Sequence, residues 1–445
     1  MNDNKRVLYK EYKIFLGIML LFVAMAFIFD TPTDIINGLG RILTESGQLI
    51  TDFMEVGGLG ASILNSAIAG LYGVIVLYLM RAKPGGAALM CLWMTVGWTF
   101  WGATVLSILP LTLGVWLYSR YKKTPFSDYV VAALLCHAIA PMVGVFYFPH
   151  ESVMQQLGIN LPLIASIPIG VLVGLMIGFI LPIILATMVR VHEGFTLYNM
   201  GVAGGMIAVF LAALLGIAAI RIPAQEMWYQ DRQLEVAIFV YLISIVLVLL
   251  GIIQGKMEQT SPFSNLKNLV AHSGHAPNDF YTLFSHATYI NMGLLGIIGT
   301  TWALIFGFSL NGGIFACVFS MVAFGALGKN IRNVIPIMTG ATICAYLHAY
   351  LHSLFNENVA NFTIIEPRSY ALAILFSTCL APIAGKFGII WGLVAGFLHV
   401  LILIHVGPIT GGLNLYNNGF TSGFVALILV PIILALQKKK PEENK

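Results

Sequence analysis

Gly194–Gly205 reads GFTLYNMGVAGG and Gly412–Gly423 reads GLNLYNNGFTSG, with Gly, Leu, Tyr, Asn, Gly and Gly at the same six positions. Each copy opens an apolar run, from Met206 in the first and from Phe424 in the second. Tyrosine and asparagine beside glycines are unusual where a membrane helix begins. The glycines let backbones approach closely or a helix break, and the polar side chains then need partners in an apolar medium. If the two copies mark equivalent points, the chain holds two related halves.

The rest of the composition identifies that medium. The chain has 445 residues, 58% hydrophobic and 9% charged, whereas soluble domains carry roughly 25% charged residues. It cannot cover its surface in water. Apolar runs of membrane-spanning length recur from Ile14 to Leu436, and the polar stretches between them are too short for a separate soluble domain. The fold class read from this is an all-α polytopic helical membrane protein in contact with the lipid bilayer. The formal net charge of +4 comes from short basic loops and gives no ground for nucleic-acid binding. Cys91, Cys136, Cys317, Cys344 and Cys379 lie in apolar segments without CxxC spacing. They read as small core residues, not disulfides or metal ligands. The N-terminal MNDNKRVLYKEYK has no small-residue cleavage site and reads as a retained cytoplasmic end.

The apolar runs fall at 14–31, 60–80, 85–101, 104–119, 128–148, 160–189 and 197–219 in a first repeat, residues 1–222. In a second repeat, residues 223–445, they fall at 235–255, 288–308, 312–328, 332–352, 369–385, 387–406 and 418–436. That predicts fourteen transmembrane helices, seven in each repeat. The halves align through further landmarks. Ser46-Gly47 with Asp52-Phe53 matches Ser273-Gly274 with Asp279-Phe280, and Asn65 with Gly70 and Gly73 matches Asn291 with Gly296 and Gly299. Gly85-Gly86 matches Gly312-Gly313, Ile108–Gly114 matches Val334–Gly340, and Ala140-Pro141 matches Ala381-Pro382. Landmarks in one order, at offsets between 218 and 241, indicate a duplication.

Basic residues favour cytoplasmic loops. With the N-terminus inside, the inner loops hold Arg81, Lys83, Arg120, Lys122, Lys123, Arg190, Lys256, Lys267, Lys329, Arg332, Lys386 and the tail Lys438–Lys440. The outer connections hold only Arg41, Arg221, Arg232 and Arg368. Both termini are expected in the cytoplasm, with the protein in the plasma membrane. An odd number of crossings per repeat turns the second half upside down relative to the first. Inverted repeats are a recurrent plan of secondary transporters, with the site near mid-membrane where the repeats meet. Ile35, Leu39 and Leu43, and in the second half Phe263, Leu266, Leu269 and Val270, suit amphipathic interfacial helices leading into gates or re-entrant elements.

The pattern SG-x4-DF, then Asn65 with its spaced glycines, closing on Leu197-Tyr198-Asn199 with Gly201, resembles a bacterial multi-pass membrane family known only as a domain of unknown function. The resemblance covers most of the chain and implies the membrane fold but no substrate. More distantly, an asparagine and spaced glycines followed by LPLT at Leu109–Thr112 are similar to urea transporters, in which the pattern recurs in two inverted halves. That likeness implies a passive solute channel. The higher span count here, and the lack of a phenylalanine after Thr112, depart from it, and analogy of fold alone argues no function.

Asp52 and Asp279 occupy equivalent places. A carboxylate at the centre of a membrane helix costs at least ~2.5 kcal/mol, so it is normally paired or functional. The two are candidates for ion coupling or gating, with N-capping of segments at Phe53 and Phe280 the plainer role. Asn65 and Asn291 suit either a solute's polar groups or a hydrogen bond between helices. Tyr198-Asn199 and Tyr416-Asn417 stand where a helix start leaves backbone N–H groups free for a substrate oxygen; interfacial anchoring and capping are their ordinary uses. The repetition of Pro110 with Pro336, and of Pro141 with Pro382, predicts broken helices at matching depths. Trp93, Trp98 and Trp101 read as packing aromatics. Lys329 and Arg332 read as a positive-inside loop, although an intramembrane position for them would mean an anionic substrate. His348 and His352 have a metal-capable i, i+4 spacing with Glu357 beyond, but no third clear ligand. His192-Glu193 suits a proton relay or a solvated loop.

These residues predict a transporter of a small polar or weakly charged solute, working by alternating access between two inverted repeats. Its site is lined by Asn65, Asn291, Tyr198, Asn199, Tyr416 and Asn417, with Asp52 and Asp279 coupling or gating. The nearest alternative is a passive urea-transporter-like channel. The alternative of another class is a membrane-embedded metal-dependent enzyme using His348, His352 and Glu357. No catalytic residue, cofactor or metal is assigned. The expected partners are lipid, a small-molecule solute and a coupling ion, with no nucleic acid and a homo-oligomer left open.

Overall fold

A computed structural model describes residues 8–149, 151–157, 162–276, 278–355 and 367–437. Among these residues every regular element is a helix, apart from an isolated bridge between Thr51 and Met227. The solvent explains this, because lipid offers nothing to backbone N–H and C=O groups and a helix satisfies them within its own segment. Exposed Leu20, Ile164, Phe210, Ile217 and Leu249 are side chains that such a solvent accepts.

The first half runs through α1 (Lys10–Phe29), α2 (Pro32–Leu43), α3 (Phe53–Gly57), α4 (Leu59–Met80), α5 (Gly86–Trp98) and α6 (Val105–Lys122). It continues with α7 (Val130–Leu135), α8 (Pro141–Tyr147), α9 (Glu151–Leu157), α10 (Leu163–His192) and α11 (Asn199–Ile217). The second half follows much the same order. It has α12 (Gln233–Met257), α13 (Pro262–Ala271), α14 (Phe280–Phe284), α15 (Ala287–Ile305), α16 (Gly312–Phe324) and α17 (Ile331–Phe355). Then come α18 (Pro367–Phe376), α19 (Ala381–Phe387), α20 (Ile389–Leu403), α21 (Gly407–Thr410) and α22 (Asn417–Gln437).

Among the described residues fewer than fourteen helices are long enough for a full span. Among the described residues nine helices are long and apolar enough to cross a membrane, or ten if Phe126–Ile139 and Pro141–Tyr147 make one bent span. The remaining apolar stretches are helical but short: α5 and α16 have 13 residues each, and α20 has 15. At 1.5 Å per residue, thirteen residues rise about 20 Å, against a hydrocarbon core of about 30 Å. Both short helices end in glycine-containing turns, with Gly102 at φ +86 and Gly328 at φ +110, where a residue with a Cβ would be strained.

The two short helices need not reach both membrane faces, because protein surrounds them. Twelve residues of α5 and all thirteen of α16 are buried. Gly86, which opens α5, lies against Ala326 just past α16, and Gly312, which opens α16, lies against Phe100 just past α5. The helices therefore pack antiparallel, with Trp93 stacked on Phe319 at 5.8 Å between ring centroids. Around this pair α6 packs on α10 and α17 on α20.

The prolines divide into two kinds. Pro110 and Pro336 were expected to break helices but lie inside continuous α6 and α17. They pack instead against Gly174 of α10 and Gly392 of α20, whose missing Cβ atoms make room for the rings. Pro141 and Pro382 sit where the helix type changes. Pro141 opens α8 and Pro382 is the second residue of α19, each just after a 3₁₀ turn, Cys136–Ile139 or Ser377–Leu380; at the first the chain bends by 51°, while Arg368–Phe387 runs on as one candidate span. Proline at a helix start forfeits no intrahelical bond.

Candidate functional site

The two acids clasp the halves together. Asp52 is buried; its Oδ1 accepts from Met54 N–H at 2.9 Å, and its Oδ2 accepts from Tyr229 N–H and Gly312 N–H, each at 3.0 Å. Asp279 Oδ1 accepts from Thr282 N–H at 2.9 Å and from Gly86 N–H at 2.8 Å. Each carboxylate thus caps its own short segment and also the first residue of the other half's 13-residue helix. A negative charge at a helix N-terminus is favoured by the unpaired N–H groups and the dipole. In this conformation the two acids singled out for coupling or gating serve as anchors.

Asn65 and Asn291 hold the opposite ends of the same helices. Asn65 Nδ2 donates to Thr99 O at 2.7 Å and Ala103 O at 3.4 Å; Asn291 Nδ2 donates to Gly325 O and Lys329 O, both at 2.8 Å. Carbonyls past a helix end have no intrahelical donor, and these amides supply one. Their N–H groups face backbone, not a solute.

The repeated motif meets itself at the centre. Its extended residues run beside the two 3₁₀ turns: Leu197 N–H donates to Cys379 O at 2.9 Å and Leu415 N–H donates to Ala138 O at 3.0 Å. The Tyr198 and Tyr416 rings, both buried, lie 4.5 Å apart between centroids. Gly201 and Gly419 meet just beyond, so close that a Cβ on either would strike the other's Cα. That contact lets α11 and α22 cross at their first turns. The asparagines differ. Asn199 bonds His192 at 2.9 Å and Leu185 O at 3.0 Å, tying α10 to α11 away from the tyrosines. Asn417 Oδ1 accepts from Thr410 at 3.0 Å, while its buried Nδ2 has no partner.

A cavity of about 250 Å³ reaches this centre, lined by Leu49, Ile50, Trp101, Phe376, Leu415 and Asn417, with exposed Glu226 at its rim. Where the first copy of the motif begins, Phe195 is packed between Phe387 at 5.3 Å and His275 at 4.4 Å. Asn330 Nδ2 donates to Leu269 O and His272 O, and Asn333 Nδ2 to Ser273 O, pinning the His275 loop. Thr104 and Ser107, the first-half counterparts, are shorter and only cap α6.

The positive-inside reading of Lys329 is overturned. Its side chain is fully buried, and Nζ donates to Tyr198 Oη at 2.5 Å and to Thr378 Oγ1 at 2.8 Å. The ammonium also faces the Tyr198 ring at 4.5 Å and the Phe324 ring at 5.4 Å. Tyr198 Oη in turn bonds Ser320. Arg332 is exposed and bonds Ala271 O, as a basic loop residue would.

The family described as protein of unknown function (DUF1576) matches residues 31–217 and 258–435, most of the chain. The chain belongs to the DUF1576 family. No curated protein and no solved structure matches it, so the likeness to urea transporters rests on the residues quoted for it alone.

In this DUF1576 protein the centre therefore brings together Tyr198, Tyr416 and Asn417 from the sequence reading, and adds Lys329, which that reading set aside as a loop residue, with Ser320 and Thr378, which it did not single out. One sign was available: Lys329 aligns with Ala103, an asymmetry inside an otherwise matched pair of ends. His348 Nδ1 bonds Tyr370 Oη at 2.6 Å. The His352 side chain and Glu357, the other members of the metal alternative, lie outside the described residues. Among the described residues no three His, Cys, Asp or Glu side chains are grouped to hold a metal.

Proposed function

We propose that this DUF1576 protein is a secondary transporter of a small polar or weakly charged solute, exposing a central site to each face in turn. One observation carries the reading. A cavity of about 250 Å³ ends at Phe376, Leu415 and Asn417 beside the tyrosine pair, while the opposite approach is plugged by Phe195 between His275 and Phe387. A cavity smaller than the roughly 300–1,000 Å³ of drug-sized sites suits a small metabolite. A bent helical span and extended backbone at the centre support the same reading, since transporters place such elements at the substrate site between inverted repeats. The basic loops favour a cytoplasmic plugged face and cytoplasmic termini, so the cavity looks outward across the plasma membrane. The reading assigns no catalytic step, cofactor or metal.

Single cysteines test it, and the five native ones are buried. Ala373 lines the cavity, eight residues before Ala381; Ala132 stands eight residues before the matching Ala140. In membranes, Ala373→Cys, only 1% exposed but bordering the cavity, should react with an impermeant maleimide from the outer face, while Ala132→Cys, outside that cavity, stays protected. Rapid labelling of both variants, each from its own face, would indicate an open channel. Protection of both from either side would reject the transporter reading.

A further inference from the structure

We infer that the transported solute is an anion, bound through its carboxylate or phosphate oxygens by Lys329 at the tyrosine pair; this rests on the transporter reading and narrows its substrate. Among the described residues no carboxylate lies within 4.0 Å of the Lys329 ammonium, which is held by two hydroxyls and two ring faces. A lysine so deep in a membrane protein is costly and is normally paired.

Its surroundings offer more donors. Trp98 Nε1, and Asn417 Nδ2 at the cavity wall, are buried without a hydrogen-bond partner. Trp98 packs edge-on against Tyr416 at 4.8 Å, and Tyr416 packs on Tyr198. An indole N–H, an ammonium and an amide nitrogen can only donate. A cluster with a positive charge and surplus donors is complemented by a group that only accepts, and ionised carboxylate or phosphate oxygens are such groups. A neutral amide or alcohol would bring donors of its own.

Between the cavity floor and Lys329 stands an aromatic layer, Phe376 stacked on Trp98 at 5.4 Å and 7°. Tyr198 and Thr378 occupy the ammonium in this conformation, and the anion replaces them when that layer parts. Only the second half carries the charge, since Ala103 stands opposite, so each chain binds one anion.

The test uses the full chain purified in detergent. The probes are propionate and succinate against their amides, and inorganic phosphate, at constant ionic strength. At least one anion should raise the unfolding midpoint by roughly 3 °C when far above its Kd, and the matching amides should not. Response to carboxylates or to phosphate identifies which oxygens are recognised. Lys329→Gln, which keeps polar contact with Tyr198 and Thr378, should abolish the shift. Lys329→Met should abolish it too and raise the ligand-free midpoint, whereas a lysine with only a structural role would lower that midpoint on removal. Absence of any anion shift in the wild type, or a shift that survives both substitutions, overturns the proposal. Amide shifts equal to those of the acids would overturn the anion and leave a neutral-solute transporter standing. An anion shift dependent on Lys329, in a protein whose Ala373→Cys never labels, would keep the binding site and remove the transporter reading.

Discussion

Asp52 and Asp279 are matched in sequence but not in what they support. Asp52 is buried and accepts three backbone N–H groups; Asp279 is partly exposed and accepts two. Hydrogen bonds to a charged group contribute about 1.5–3 kcal/mol each, and loss of an exposed cap costs about 1 kcal/mol. Asp52→Ala should therefore destabilise by about 3 kcal/mol or more and Asp279→Ala by about 1–2 kcal/mol, measured by unfolding in detergent. Equal losses would contradict the assignment. Asp52→Asn should fall between wild type and alanine, because its amide oxygen can still accept from Tyr229 and Gly312 while its NH2 faces the Met54 donor. The positions of these residues, and of Asn65 and Asn291, were legible from the repeat. Their partners were not, because a pattern along the chain does not say which distant N–H or C=O is left unpaired. Lys329 was misread for a related reason: the positive-inside rule counts charges by loop, and burial is a property of the packed fold.

At the scale of elements, the crossing of α11 and α22 depends on Gly201 and Gly419. A Cβ at Gly201 would come within 2.6 Å of Gly419 Cα and 2.8 Å of Tyr416 O. Backbone cannot swing aside as a side chain does, so the helices would have to separate. Gly201→Ala should cost about 1–3 kcal/mol, as overpacking generally does. Gly17 in α1 has nothing within 4 Å of its added Cβ, so Gly17→Ala should be neutral or stabilise by up to about 1 kcal/mol. Parallel thermal melts check both, and a harmless Gly201→Ala would mean the helices are free to slide. That the long apolar runs are helical was readable, since runs of this length fold in one way in lipid; the short α9 and α21 were not foreseen. The lengths of α5 and α16 were not. Residues 99–101 and 325–328 are as apolar as the helices they follow, and only the left-handed turns at Gly102 and Gly328 end those helices.

For the whole molecule, the two approaches to the centre are unequal. The Phe195 plug makes two aromatic contacts, each worth about 0.5–1.5 kcal/mol beyond simple burial. On the transporter reading proposed above, Phe195→Ala should shift the balance towards the other open state by about tenfold or more. The readout is faster maleimide labelling of Ala132→Cys from the plugged face, with slower labelling of Ala373→Cys. Faster labelling of both would instead describe a leak. The crossed carboxylate clasp has a further consequence, for how the protein is made. Asp52 emerges from the ribosome long before its two distant partners, which follow 177 and 260 residues later in the chain, and Gly86 waits 193 residues for Asp279. The early half cannot close these bonds alone, and the last of them on Asp52 forms only once synthesis has passed Gly312.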